Sequence, residues 1–202
     1  MIRSQLIFCL LFTAPAFAWE PQTGEIIFQI SRSSQSKAMQ LATHSSYSHI
    51  GMIVIRNHNP YVFEAVGPVV YTPLSRWIAR GKDGQYIFRR VSGGLASQQQ
   101  QNLAQTAKRY LGKPYDLAFS WTDERQYCSE MVWKVYQNAL GIRIGKRQKL
   151  KEFDLNQPVV RAKLKERYGK NIPLTETVIS PQAVFDAPQL ETVDKKLPWF
   201  WW

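Results

Sequence analysis

Residues 127–141 read YCSEMVWKVYQNALG, and the fold is decided by how this stretch is taken. Met131, Val132, Val135, Tyr136, Ala139 and Leu140 recur at spacings of three and four, the mark of an amphipathic helix, and Gly141 is a natural stop. Cys128 opens that helix. Free backbone N–H groups and the positive end of the helix dipole favour an anion there, which lowers a thiol's pKa. The same N–H groups suit the oxyanion of an attacked carbonyl.

The chain has only one other cysteine, Cys9, in the opening MIRSQLIFCLLFTAPAFA. Arg3, the apolar run LIFCLLF and the small-x-small Ala16-Phe17-Ala18 read as a secretory signal covering residues 1–18. The run breaks at Thr13 and Pro15, short of the roughly 20 apolar residues a membrane span needs. Cleavage would remove Cys9, leave a soluble periplasmic or secreted chain of residues 19–202, and strand Cys128 without an internal disulfide partner. A lone thiol is then a small buried hydrophobe, an intermolecular link or a nucleophile.

A thiolate nucleophile calls for a base, and there are three histidines. His58 lies in the turn-like RNHNP and His44 in the serine-rich THSSYS. His49 opens HIGMIVI, a run of strand formers expected to be buried, where either a site residue or a hydrogen-bonded structural histidine is at home. Glu64 is the lone charge in a second strand, YVFEAVG, and is either exposed on an edge or paired inside. With a two-residue turn at His58-Asn59, Glu64 would face Ile53, about 13 Å along the strand from His49. Strand coiling, a bulge or a longer loop would have to close that gap.

The remaining pattern is that of one α+β domain. GEIIFQI and QYIFRRV read as strands, and SQQQQNLAQTAKRYLG as a helix with Ser97 as N-cap and Gly112 beyond its end. Net charge is +11, and Arg143 to Lys170 concentrates ten basic residues against Glu152, Asp154 and Glu166. Pro158 splits this segment into a loop and a short helix, an insertion or substrate lid. In an exported protein it suits an anionic envelope surface rather than nucleic acid, or it is a solvated basic face. The ending LPWFWW either docks on its own domain or seeks a membrane interface. No metal-ligand or phosphate-loop motif is present, and no cofactor is expected.

The set SHIGM, VFEA, LGKPYD and YCSE, in this order, resembles the permuted papain-like cysteine amidases of the YiiX type, relatives of the NlpC-type cell-wall peptidases. The resemblance spans TGEIIFQISRSS to ISPQAVFDAP. It implies a circularly permuted papain-like fold, with an antiparallel sheet or partial barrel packed against the helix that starts at the nucleophile. It also implies Cys128 as nucleophile, His49 as base, Glu64 as orienting group, and Tyr115 of LGKPYD assisting the oxyanion or the substrate. The expected activity is hydrolysis of an amide, in a cell-wall peptide, through a thioester. Lipid amide or ester hydrolysis, or acyl transfer, is the alternative, and a non-catalytic envelope-binding module is a third reading.

Overall fold

Alternation along the strands assigns each sheet face its cover. The structure, a computed structural model, describes residues 19–33 and 35–197; the signal-like segment 1–18 and the aromatic end from Pro198 lie outside the described residues. In chain order the elements are β1 (Ile26–Gln29), α1 (Ser36–Thr43), β2 (His49–Arg56), β3 (Asn59–Ala65), β4 (Val69–Pro73), α2 (Leu74–Arg80), β5 (Tyr86–Val91) and α3 (Ser97–Ala107). There follow α4 (Cys128–Leu140), β6 (Gln148–Lys149), α5 (Pro158–Tyr168), β7 (Thr177–Val178), α6 (Pro181–Phe185) and β8 (Leu190–Lys196). Six strands form one antiparallel sheet in the order β4-β3-β2-β1-β5-β8. No described helix is long and apolar enough to cross a membrane.

Ile26, Phe28, Ile50, Met52 and Val54 turn one face of this sheet toward α4 and α3, whose Met131, Val132, Val135, Tyr136, Leu103 and Ala107 complete the main core. Each such side chain contributes roughly 1.5–3 kcal/mol on burial, so the helix opened by Cys128 is fixed by its own apolar stripe. The other face carries Ile27, Ile53, Val62 and Phe88 beneath Trp77 of α2 and Trp19. A mixed α+β fold with an antiparallel sheet against the Cys128 helix is therefore what forms.

Local expectations meet two differences, at the start of α3 and in α1, and hold at Pro158. Ala96, not Ser97, caps α3: its backbone N–H is accepted by the Gln99 side chain at 2.9 Å, and Ser97 is the first helical residue. Residues 36–43 form α1, which the polar run around them does not announce, and His44 ends it in the left-handed region at φ 50°. In the basic segment Pro158 stands in the first turn of α5, where its missing N–H has no intrahelical partner to lose. Leu150, Val160 and Leu164 of that segment pack with Ala38 of α1 in a small core of their own.

Candidate active site

The turn between β2 and β3 sets the geometry of the site. Asn57 and His58, with φ of 47° and 62°, occupy it, so Arg56 pairs with Asn59 and Met52 with Phe63. Two successive positive φ values give the turn whose twist matches paired strands. The turn falls one residue earlier than His58-Asn59, and the register moves with it: Glu64 comes opposite Gly51 rather than Ile53. His49, Gly51 and Glu64 thereby share a face, with His49 and Glu64 as diagonal neighbours. No bulge is needed to close the gap. Gly51 makes room for the carboxylate, since a Cβ there would stand 2.3 Å from Val62 Cγ1, 2.9 Å from the Phe63 carbonyl oxygen and 3.3 Å from Glu64 Cβ.

Glu64 is fully buried, and its Oε2 lies 2.7 Å from His49 Nε2. A buried carboxylate needs several donors to hold its charge. Thr72 Oγ1 donates to Oε1 at 2.5 Å, Trp77 Nε1 donates to Oε2 at 2.9 Å, and Arg80 Nη2 also donates to Oε2. Burial alone would raise the Glu64 pKa, but the bond to His49, its charge, Thr72 and the Arg80 guanidinium together bring it below the ordinary carboxylate value. The sheet supplies Thr72 from β4, and α2 supplies Trp77 and Arg80. None of these three is picked out by the sequence; the one hint is a Trp among apolar residues, whose ring N–H must find an acceptor when buried.

With Nε2 engaged by Glu64, Nδ1 is the ring nitrogen left for Cys128, whose thiol lies within hydrogen-bonding reach of the ring. Burial would depress the His49 pKa, yet the bonds to Cys128 and Glu64 and the negative charge of both outweigh it and raise the value to about 9. Burial would likewise raise the Cys128 thiol; the His49 bond and charge, with backbone N–H groups of Ile50 and Ser129, bring it down. The pair is thus built to exist as thiolate and imidazolium. His49 and Cys128 are 8% and 4% exposed, so one edge of the pair opens to solvent.

His49, beside Cys128, lines a groove together with Gln35, Ser36, Ser48, Arg80 and Tyr115. Ser36 and Ser48 hydroxyls lie 2.5 Å apart. Tyr115 Oη accepts from Gln35 Nε2 at 3.4 Å, which leaves its hydroxyl proton free to donate. Burial, and then the Cys128 charge, push the Tyr115 pKa above its ordinary range, so the phenol keeps that proton. The first turn of α4 is tied down on its far side: Ser129 Oγ donates to the Ile179 carbonyl at 2.7 Å, and Ile179 N donates to Tyr127 Oη at 3.0 Å. His44 and His58 are exposed, as the turn and loop readings of their segments expect, and neither lines the groove.

A second set of ionisable groups went unnoticed in the sequence. Glu130, fully buried in the first turn of α4, pairs with Lys134 at 2.8 Å, and Lys134 also reaches Asp123 at 2.8 Å and the Thr122 carbonyl. Burial dominates Glu130 and raises its pKa to about 7. Glu130 and Lys134 stand at i and i+4 on one helix, a spacing common enough on exposed faces to give no warning of burial.

Residues 20–194 match the family model for permuted papain-like amidase enzymes of the YaeF/YiiX kind. The chain is 75% identical over 197 residues, 98% of each chain, to a protein of Escherichia coli called uncharacterized protein YiiX. It also matches the crystal structure of a metalloprotein YiiX from Escherichia coli O157:H7, with a TM-score of 0.88 and 77% identity over 89% of this chain and all of that one. The chain belongs to the permuted papain-like amidases of the YaeF/YiiX family.

Proposed function

We propose that the protein is an exported cysteine hydrolase that cleaves an amide bond in a cell-wall peptide through a thioester intermediate. The observation that carries this reading is the buried relay in which Glu64 holds His49 Nε2 at 2.7 Å and leaves the other ring nitrogen for the Cys128 thiol. The Cys128 thiolate attacks the carbonyl carbon, and the negative oxygen that forms is received by N–H groups of the first turn of α4, with Tyr115 as a further donor. The His49 imidazolium gives its proton to the leaving amine as the C–N bond breaks. The neutral ring then takes a proton from water, whose oxygen attacks the thioester and frees Cys128. Glu64 fixes the ring and balances its charge throughout.

The Escherichia coli O157:H7 relative is named as a metalloprotein. Among the described residues no three His, Cys, Asp or Glu side chains converge to hold a metal. Within the site, Cys128 and one nitrogen of His49 leave two donors, fewer than the three protein ligands of a catalytic zinc. The donors present do not fit such a site, and no step above runs through a metal.

A second reading is favoured by an almost wholly apolar pocket of about 80 Å³ between α1 and α5. Ala38, Leu150, Val160 and Leu164 line it, and it meets the polar groove at Gln35. Its apolar lining suits an acyl group, which supports hydrolysis of a lipid amide or ester, or acyl transfer. Purified peptidoglycan and envelope lipids, incubated side by side with the wild type and Cys128→Ala, separate the readings by mass spectrometry. Peptide fragments dependent on Cys128 are the expected result. Released fatty acids would replace the first reading with the second, and no Cys128-dependent product in either fraction would remove both.

A further inference from the structure

Arg80 carries more hydrogen-bond donors than Glu64 uses. Without it, the Glu64 carboxylate already has His49 and Trp77 on Oε2 and Thr72 on Oε1. Arg80 joins Oε2 through Nη2 alone and lies 6.0 Å from the Trp77 ring centroid, and among the described residues no other hydrogen bond or ion pair engages its guanidinium. An arginine carries five donors in a planar fork, so most of them remain uncommitted. The side chain is 38% exposed and lines the same groove as His49 and Tyr115. The other lining groups are serine hydroxyls, one amide and apolar side chains, with no acidic residue among them. Among the described residues, Arg80 and His49 are the only cationic groups in that lining.

We infer that Arg80 is an anion-reading group of the groove, which binds a carboxylate carried by the substrate next to the bond that Cys128 attacks. The inference rests on the cysteine-hydrolase reading for the attack, and on the groove alone for the binding. A carboxylate is the favoured ligand because its planar pair of oxygens matches the free side of a guanidinium, while the groove lining holds no lysine to serve as a point charge for a phosphate. Arg80 would thus bias the enzyme toward substrates with a free carboxylate near the scissile amide, and the bond to Glu64 would hold the guanidinium in place for that contact.

The test uses two alkylating agents of nearly equal size, iodoacetate and iodoacetamide. Each forms the same carbon–sulfur bond to Cys128 with loss of iodide, and they differ in the carboxylate. The ratio of their second-order rate constants cancels any change in thiolate fraction. In Arg80→Gln the iodoacetate-to-iodoacetamide ratio should fall roughly threefold to tenfold, in Arg80→Lys it should stay within about twofold of wild type, and in Arg56→Gln, at the far end of β2, it should not change. Loss of the cation also strengthens the positive character of His49, which would raise the ratio, so a fall reports Arg80 itself. A second measurement needs no variant: N-acetylalanine should slow iodoacetamide labelling of the wild type more than N-acetylalaninamide does. An unchanged ratio in Arg80→Gln, or equal protection by the two alanine derivatives, overturns the inference. Slow labelling by both reagents that rises only near the pH of an ordinary thiol would count against the hydrolase reading instead, and the ratio would still decide Arg80.

Discussion

Glu64 Oε2 lies 2.7 Å from His49 Nε2, in a position with no exposed surface on the carboxylate. This one contact fixes which ring nitrogen faces Cys128 and keeps a positive charge beside the thiol. It depends on a backbone feature two residues from His49, the bare Cα of Gly51, over which the Glu64 side chain passes.

Removing the Glu64 charge should therefore affect both chemistry and stability. Glu64→Gln presents an amide N–H₂ to a site already crowded with donors from His49, Thr72, Trp77 and Arg80. Turnover should fall on the order of a hundredfold or more, between the effect of a surface change and that of losing the nucleophile. Urea melts should show a loss of about 2 kcal/mol, the scale of a buried polar group left unsatisfied. Near-wild-type turnover would detach Glu64 from the site.

Gly51→Ala tests the register directly. The new methyl would meet Val62 Cγ1 at 2.3 Å and the Phe63 carbonyl at 2.9 Å, so β2 and β3 must part or Glu64 must shift. A loss of roughly 1–3 kcal/mol is expected, with slower iodoacetamide labelling of Cys128 as His49 loses its support. Wild-type stability and labelling would mean that the two strands do not pair as described.

The pH profile follows from the signs of the two shifts. Below the lowered Cys128 pKa the thiol is protonated and cannot attack; above about 9, His49 has lost the proton that the leaving amine needs. Activity should rise with pH before an ordinary thiol ionises and fall through about 9. In Glu64→Gln the alkaline fall should move to lower pH, because one of the groups that raise His49 has lost its charge. A profile that keeps rising to pH 10 would contradict a proton held on His49.

Lys134→Met should be costly although Lys134 touches no substrate group. It strands the fully buried Glu130 and releases Asp123 and the Thr122 carbonyl, which lie in the loop that leads into Cys128. Breaking a buried pair in this way costs about 3–5 kcal/mol; because Asp123 is largely exposed, the lower end is expected here. Thermal melts of Lys134→Met against Lys134→Met/Glu130→Leu should show part of that loss recovered in the double variant, and no recovery would argue that the pair is not what the helix start depends on.

The helix, the strands and the three candidate site residues are legible because each carries a local signature: a three-and-four apolar stripe ending in Gly141, a buried run opened by His49, and a lone carboxylate among apolar neighbours. Where the reading stopped, the cause was non-local. A one-residue error in placing the turn, His58-Asn59 instead of Asn57-His58, made Glu64 look four residues out of reach, since register depends on turn position alone. Thr72, Trp77 and Arg80 come from elements that meet Glu64 only in the folded chain. Their residue types are ordinary, and only the carboxylate's need for donors inside the protein gives them a role.

The central claim is that Cys128 is held as a thiolate by His49. It is tested most directly by the pH dependence of iodoacetamide labelling at Cys128, followed by mass spectrometry in the wild type and His49→Ala. The account predicts half-maximal labelling well below the pH of about 8.5 at which a free thiol half-ionises, and a clear upward displacement in His49→Ala. Labelling that rises only near 8.5 in both proteins would contradict it and leave Cys128 a buried thiol of the core.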